Sequence, residues 1–134
     1  MVRRRIEFGL YQPATRYLEA LTLRDGFLRE YCDTAFAHCD ALLTPTVPFT
    51  APALADVDVG DSEDMPALVL LATRCTRPIS YLGLPALSMP CGFDAAGLPI
   101  GCQLIGRPFA EATLFQLAHA YQQVTSWHDR APSL

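Results

Sequence analysis

The chain has 134 residues, of which 51% are hydrophobic and 18% charged, with a net charge of −4 and a pI near 5.2. That apolar content excludes disorder, and the acidic balance excludes nucleic acid and an anionic membrane as natural partners. No apolar run approaches the ~20 residues that a membrane span needs. A chain of this length buries roughly two thirds of its unfolded surface, enough for a true core. High apolar content with few charges also fits a piece whose neighbour covers an apolar face.

All ten basic residues are arginine, and lysine and asparagine are absent. Chemistry that needs a lysine base, a Schiff base or a P-loop lysine cannot be completed here. The five cysteines are Cys32, Cys39, Cys75, Cys91 and Cys102. Their odd number and apolar company predict buried free thiols in a reducing cytoplasm. The opening Met1-Val2-Arg3-Arg4-Arg5 has no apolar stretch behind it, so it does not read as a secretion signal. Its three arginines read as a solvated face or a helix end.

Residues 13–39 read as one helix or a broken pair. Pro13 suits a helix start, where its missing N–H is no loss. Leu18, Leu21, Leu28, Cys32, Phe36 and Cys39 follow helical spacing, and Gly26 marks a candidate break. Ala41-Leu42-Leu43-Thr44 reads as a buried strand. Residues 45–64 read as loop, with Pro45, Pro48 and Pro52 followed by Asp56, Asp58, Asp61, Glu63 and Asp64. The acidic spacing lacks the glycine and the later glutamate of an EF-hand, so this is a solvated loop.

A second helix, capped by Ser62 or Asp64, is expected through Leu68, Leu71 and Ala72 toward Cys75. Residues 76–81, with Pro78, read as a turn or short extension. Two apolar runs follow, residues 85–91 and 98–105, joined by the turn Asp94-Ala95-Ala96-Gly97. They read as a β-hairpin covered on both faces, with Pro90 at an end, edge or bulge. Residues 111–124 form an amphipathic helix whose stripe is Leu114, Leu117, Ala118 and Tyr121.

Candidate chemistry within the chain is sparse. His38, His119 and His128 have no Gly-x-Ser-x-Gly elbow to pair with, so a serine triad is not built. Cys91, beside Gly92, has no neighbouring base in the sequence, and an inert thiol is the simpler reading. Cys32, His38 and Cys39 do not have zinc-site spacing. The glycines do not form a dinucleotide-binding loop. No catalytic residue, metal or cofactor is therefore assigned.

Four segments, in order, resemble the carboxy-terminal portion of the amidase signature family. The first is Asp40-Ala41-Leu42-Leu43-Thr44-Pro45-Thr46-Val47-Pro48, with Ala51-Pro52 behind it. The second is Thr76-Arg77-Pro78-Ile79-Ser80-Tyr81-Leu82-Gly83-Leu84-Pro85-Ala86-Leu87-Ser88-Met89-Pro90-Cys91-Gly92-Phe93. The third is Gly97-Leu98-Pro99-Ile100-Gly101-Cys102-Gln103-Leu104-Ile105-Gly106-Arg107-Pro108-Phe109. The fourth is the closing helix, ending in Ser126-Trp127-His128.

The resemblance implies an α/β piece of a large mixed sheet, with a β-hairpin and flanking helices, so that residues 1–134 form one partial domain. It implies an enzyme that hydrolyses or transfers amides through a serine nucleophile, a bridging serine and a lysine base. The family's Gly/Ser-rich signature and its lysine do not appear here, so the chain is expected to be inactive alone. Thr73 stands where the glutamine-using branch places a substrate-binding acid, and Ser80 where many members have asparagine. Thr73, Thr76, Ser80 and Tyr81 are therefore the candidate wall of a substrate pocket. The implied partners are the missing amino-terminal amidase portion or a second copy of the chain. A small amide is the expected substrate of the whole enzyme. The alternative is a non-catalytic, self-associating module.

Overall fold

The computed structural model describes residues 2–58 and 65–131. The elements run α1 (Val2–Leu10), α2 (Ala14–Ala35), β1 (Ala41–Pro45), α3 (Leu54–Val57), α4 (Met65–Ala72) and α5 (Arg77–Leu82). They continue with β2 (Ala86–Phe93), β3 (Pro99–Gly106) and α6 (Glu111–Val124), and a 3-10 turn at Trp127–Asp129. The α/β architecture, the hairpin and the flanking helices are those expected from the sequence. The sheet described here is antiparallel throughout, with order β1-β3-β2.

β3 is the centre of the fold. Alternation sends successive side chains to opposite faces. Cys102 and Leu104 face one way and pack with Met89 of β2 and with Leu114 and Ala118 of α6. Ile105 faces the other way and packs with Phe36, Ile79, Leu82 and Leu84. The central strand is thus covered on both faces, as its continuous apolar run predicts. Close packing at the end of β3 depends on Gly106, where a Cβ would sit 3.2 Å from two carbons of Leu114.

The proline in β2 behaves as a strand proline must. It lies on an edge strand, and the register slips between Pro90 and Gly92, leaving Cys91 as the bulged residue. In the hairpin turn Asp94 Oδ1 accepts from the N–H groups of Ala96 (2.9 Å) and Leu98 (2.8 Å), and Gly97 takes φ 78°. An Asx turn of this kind is what the Asp-x-x-Gly sequence encodes.

Several expectations are revised. α2 runs unbroken through Gly26, because one glycine in a long helix costs only ~1 kcal/mol. Its expected apolar stripe divides. Leu28 and Cys32 pack on the core, as do Phe36 and Cys39 beyond the helix, whereas Leu18 and Leu21 stay exposed. Residues 76–81 are not a bare turn but belong largely to α5. Pro78 falls in its first turn, where a proline N–H is not needed, and Gly83 closes the helix at φ 73°. The loop after β1 contains one helical turn, α3. In α6, Leu114 and Ala118 are buried but Leu117 is exposed. The proposed caps Ser62 and Asp64, and the acidic residues Asp61 and Glu63, lie outside the described residues. α1 has no counterpart among the expected elements, and it carries the Arg3 to Glu7 ion pair one turn apart (2.7 Å).

Candidate functional site

The elbow between α4 and α5 holds two of the four candidate residues, Thr73 and Thr76. Thr73 follows the last turn of α4, and its hydroxyl donates to the Val69 carbonyl (2.7 Å). The same oxygen accepts from the Arg77 guanidinium at 2.7 Å. The Thr76 hydroxyl donates to the Thr73 carbonyl at 3.4 Å. Ser80 lies on α5, exposed. Tyr81 turns away from the elbow, and its hydroxyl donates to the Ala20 carbonyl on α2. The structure therefore brings Thr73, Thr76 and Arg77 together and directs Tyr81 elsewhere. Each bonded hydroxyl is already spent on local backbone or on Arg77, which orders the elbow rather than freeing it for a ligand.

The elbow is tied to the sheet by one buried side chain. Gln103 of β3 is 3% exposed. Its amide nitrogen donates to the Cys75 carbonyl (3.0 Å), to the Thr44 hydroxyl (3.1 Å) and to the Pro45 carbonyl (3.4 Å). A buried amide is stable only with such partners. Gln103 was not singled out from the sequence, yet the signal was there: it is the one polar side chain inside the apolar run of residues 98–105.

Beside Gln103, on the same face of the sheet, the Thr46 and Ser88 hydroxyls meet at 3.0 Å above Gly101. A Cβ on Gly101 would stand 3.4 Å from the Thr46 oxygen, an ordinary van der Waals contact, so the pair lies directly over this glycine. The pair lines a cleft of about 430 Å³ shared with Val47, Phe49, Ala72 and Gly101. A second hollow of about 580 Å³ lies between α2 and α5, walled by Phe27, Tyr31, Pro78 and Tyr81. A third, of about 560 Å³, runs along Leu70, Leu71, Arg74 and Arg77. Arg74 and Arg77 line the third hollow, Pro78 and Tyr81 the second, and Ala72 the first, whereas Thr73, Thr76 and Ser80 line none of the three.

The cysteine readings resolve geometrically. The Cys39 thiol donates to the Ala35 carbonyl (3.3 Å), and Cys32 packs against the core. Among the described residues no three His, Cys, Asp or Glu side chains converge as metal ligands. Cys91 is half-buried and donates to the Ile100 carbonyl at 3.5 Å. Cys102 is buried. Burial first, and then contact with the Cys91 thiol, pushes its pKa up to about 11. No helix in the described residues is long and apolar enough to cross a membrane.

Comparison with known proteins places this geometry. The chain is 47% identical over 138 residues to a glutamyl-tRNA(Gln) amidotransferase subunit of Moorella thermoacetica, covering 99% of this chain and 27% of the relative. The crystal structure of the corresponding Thermotoga maritima protein superposes with TM-score 0.57 at 36% identity, covering 85% of this chain and 25% of that one. A crystallised amidase superposes with TM-score 0.66 at 28% identity, over 87% of this chain and 26% of that one. The chain spans about a quarter of the length of the curated relatives it matches. The sequence profile of the Amidase family matches residues 1–115, and the chain belongs to that family.

Proposed function

We propose that this chain is the carboxy-terminal quarter of an amidase-type enzyme, supplying part of the substrate wall while the amidase portion not contained in these residues supplies the nucleophile and base. The observation that carries this reading is the pairing of family membership across residues 1–115 with a chain that has no lysine. A serine–lysine amide hydrolase needs a neutral amine to take the serine proton, and arginine cannot serve. The α4–α5 elbow, with Thr73, Thr76, Ser80 and Arg77, is the proposed wall, held to the sheet by Gln103. The substrate is a small amide, the compartment the cytoplasm, and neither nucleic acid nor a membrane is a partner. Thr73 presents a hydroxyl beside Arg77 where an acid would be needed to greet an ammonium group. This favours amides without a free amine.

The test is amide hydrolysis by the purified chain over a broad panel, with and without an amidase polypeptide bearing the Gly/Ser-rich, lysine-containing segment. No turnover alone and turnover with the added segment is the expected result. Turnover by the chain alone overturns the proposal and redirects attention to Cys91 and Cys75.

A second reading, self-association into a non-catalytic module, draws on the exposed apolar side chains of α1 and α2, among them Ile6, Phe8, Leu10, Tyr17 and Leu18. The outer edge of β1 is also unpaired within the described sheet. Sedimentation across a concentration series separates the two: a stable homo-oligomer that yields no activity with the added segment supports the module.

A further inference from the structure

The bulge in β2 has a chemical consequence. In the β2–β3 ladder Met89 faces Cys102, Pro90 faces Gly101 and Gly92 faces Ile100, so Cys91 is the extra residue. It remains on the face shared with Cys102, and both pack in the cluster under α6. Each thiol reaches to the opposite strand. Cys91 donates to the Ile100 carbonyl on β3 (3.5 Å), and Cys102 donates to the Met89 carbonyl on β2 (3.7 Å). The register sets Met89 opposite Cys102, so Cys91 lies two residues further along β2 from the residue that faces Cys102. Neither cysteine is used by the proposed amidase role.

We propose that Cys91 and Cys102 form a redox modification site, a cross-strand thiol pair that closes to an intrachain disulfide when exposed to a peroxide. The bulge is what makes closure feasible. The extra residue of a bulge is released from the ladder, so Cys91 can move without breaking regular pairing. Disulfide formation demands a specific approach of the two side chains, and the pair starts on adjacent strands, packed in the same cluster under α6.

The two cysteines are not equivalent. Cys91 is half-buried and Cys102 buried, so Cys91 meets the oxidant first. Its thiolate sulfur attacks one peroxide oxygen, the O–O bond breaks, and hydroxide leaves to be protonated to water. The product is a sulfenic acid on Cys91. The Cys102 sulfur then attacks the Cys91 sulfur, displacing hydroxide, which takes the Cys102 thiol proton and departs as water. Two thiols and one peroxide thus give one disulfide and two waters. The raised pKa of Cys102 makes this resolving step the slower one. A thiol reductant reverses the closure.

The experiment treats the reduced chain with hydrogen peroxide under native conditions and then alkylates the remaining thiols. Cleavage with chymotrypsin without reduction cuts after Phe93, between the two cysteines. The expected result is two thiols fewer than the five of the reduced chain, with the Cys91 and Cys102 peptides joined and released by reductant. In Cys91→Ala, loss of the Cys102 thiol slows by about tenfold or more, because a buried protonated thiol reacts poorly. In Cys102→Ala, Cys91 stops at the sulfenic acid and is trapped by a dimedone-type reagent. The proposal is overturned by any of three outcomes: a linkage between Cys32 and Cys39, a linkage between chains, or over-oxidised Cys91 with no linkage. Mapping on the unaltered chain needs no variant, so a variant that fails to fold leaves the test intact.

Discussion

α2 and β3 are both rich in apolar residues, and they meet opposite fates. β3, eight residues long, buries an unbroken run from Cys102 to Gly106. α2, at 22 residues, has no fully buried side chain. The difference lies in what each element finds to pack against. β3 has a hairpin partner across the five residues 94–98, α6 covers one of its faces, and α5 with Phe36 covers the other. α2 meets the core only at its last turns, through Leu28, Tyr31 and Cys32. The first half of the chain therefore holds apolar surface on α1 and the start of α2 that its own residues do not cover, while β3 is enclosed by residues from both halves. Side chains of identical chemistry carry stability in one region and little in the other.

The sharpest way to break this comparison is a pair of leucine truncations. Leu114, 2% exposed, packs between Gly106 and the Cys102 cluster. Leu114→Ala is expected to cost about 3 kcal/mol in urea denaturation, from lost transfer energy and the cavity left behind. Leu18, 59% exposed, is expected to change stability by no more than ~0.5 kcal/mol when made alanine. A Leu18→Ala cost comparable to that of Leu114→Ala would mean that α2 is covered in solution, by a second copy of the chain.

The next effect comes from pH. The titratable groups packed with Cys102 are Cys91 of β2 and Tyr121 of α6. The Cys102 pKa is raised from 9.0 in the unfolded reference to about 11 in the fold. Between these values the folded chain holds the proton that the unfolded chain releases. The contribution is therefore complete below pH 9, declines as pH rises, and is gone above about 11. The total loss is on the order of 2 kcal/mol. Tyr31, also raised by burial, adds a loss of the same sign above its ordinary value. In Cys102→Ala the decline between pH 9 and 11 becomes shallower, so the gap between the two proteins narrows as pH rises. A gap that stays constant would show that Cys102 does not titrate in this range.

Gln103 sharpens the contrast from the polar side. Replacement by leucine removes the donor to the half-buried Cys75 carbonyl and Thr44 hydroxyl, at a cost of about 1 kcal/mol. The loss should appear first as faster amide exchange in residues 73–77, since the link from sheet to elbow is gone. Uniform acceleration across α6 as well would mean that Gln103 supports the whole core rather than the elbow.

The closed region was legible in the sequence and the open one less so. The hairpin carried its own turn signal at residues 94–97, its proline at the bulge, and a continuous apolar run that a doubly covered strand requires. Residues 111–124 were bounded correctly because the helical period is clear there. The sequence did not say that Leu18, Leu21 and Leu117 would face outward, since periodicity shows that a face is apolar but not whether anything lies against it. α5 was missed because Pro78 reads as an interruption until its place in the first helical turn is known. The candidate wall was legible only by resemblance, and the structure joins Thr73 to Thr76, leaves Ser80 exposed on α5 and sends the Tyr81 hydroxyl to α2. Gln103 stood out as the one polar residue of its apolar run, but its partners and the Thr46–Ser88 pair were hidden, because register, not sequence neighbourhood, sets them side by side.

The same comparison can be tested at backbone level, through two glycines with opposite requirements. Gly26 sits inside α2, and a Cβ there meets nothing within 4 Å. Alanine lowers the entropy of the unfolded chain and suits a helix, so Gly26→Ala is expected to stabilise by about 0.5–1 kcal/mol. Gly83 ends α5 at φ 73°, with its N–H donating to the Ile79 carbonyl at 3.0 Å. A Cβ there runs into the Arg24 guanidinium, which itself holds the Leu82 carbonyl at 3.4 Å. Gly83→Ala is expected to destabilise by about 1–2 kcal/mol, through the left-handed backbone and the displaced arginine. Thermal melts of the two variants should therefore move in opposite directions. Arg24 is one of the few contacts that bring α2 down onto α5, so Gly83→Ala should also loosen the last turns of α2. If Gly26→Ala proves destabilising instead, α2 must be bent at that point in solution, and its exposed amino-terminal half would then lie closer to the core than the straight helix places it.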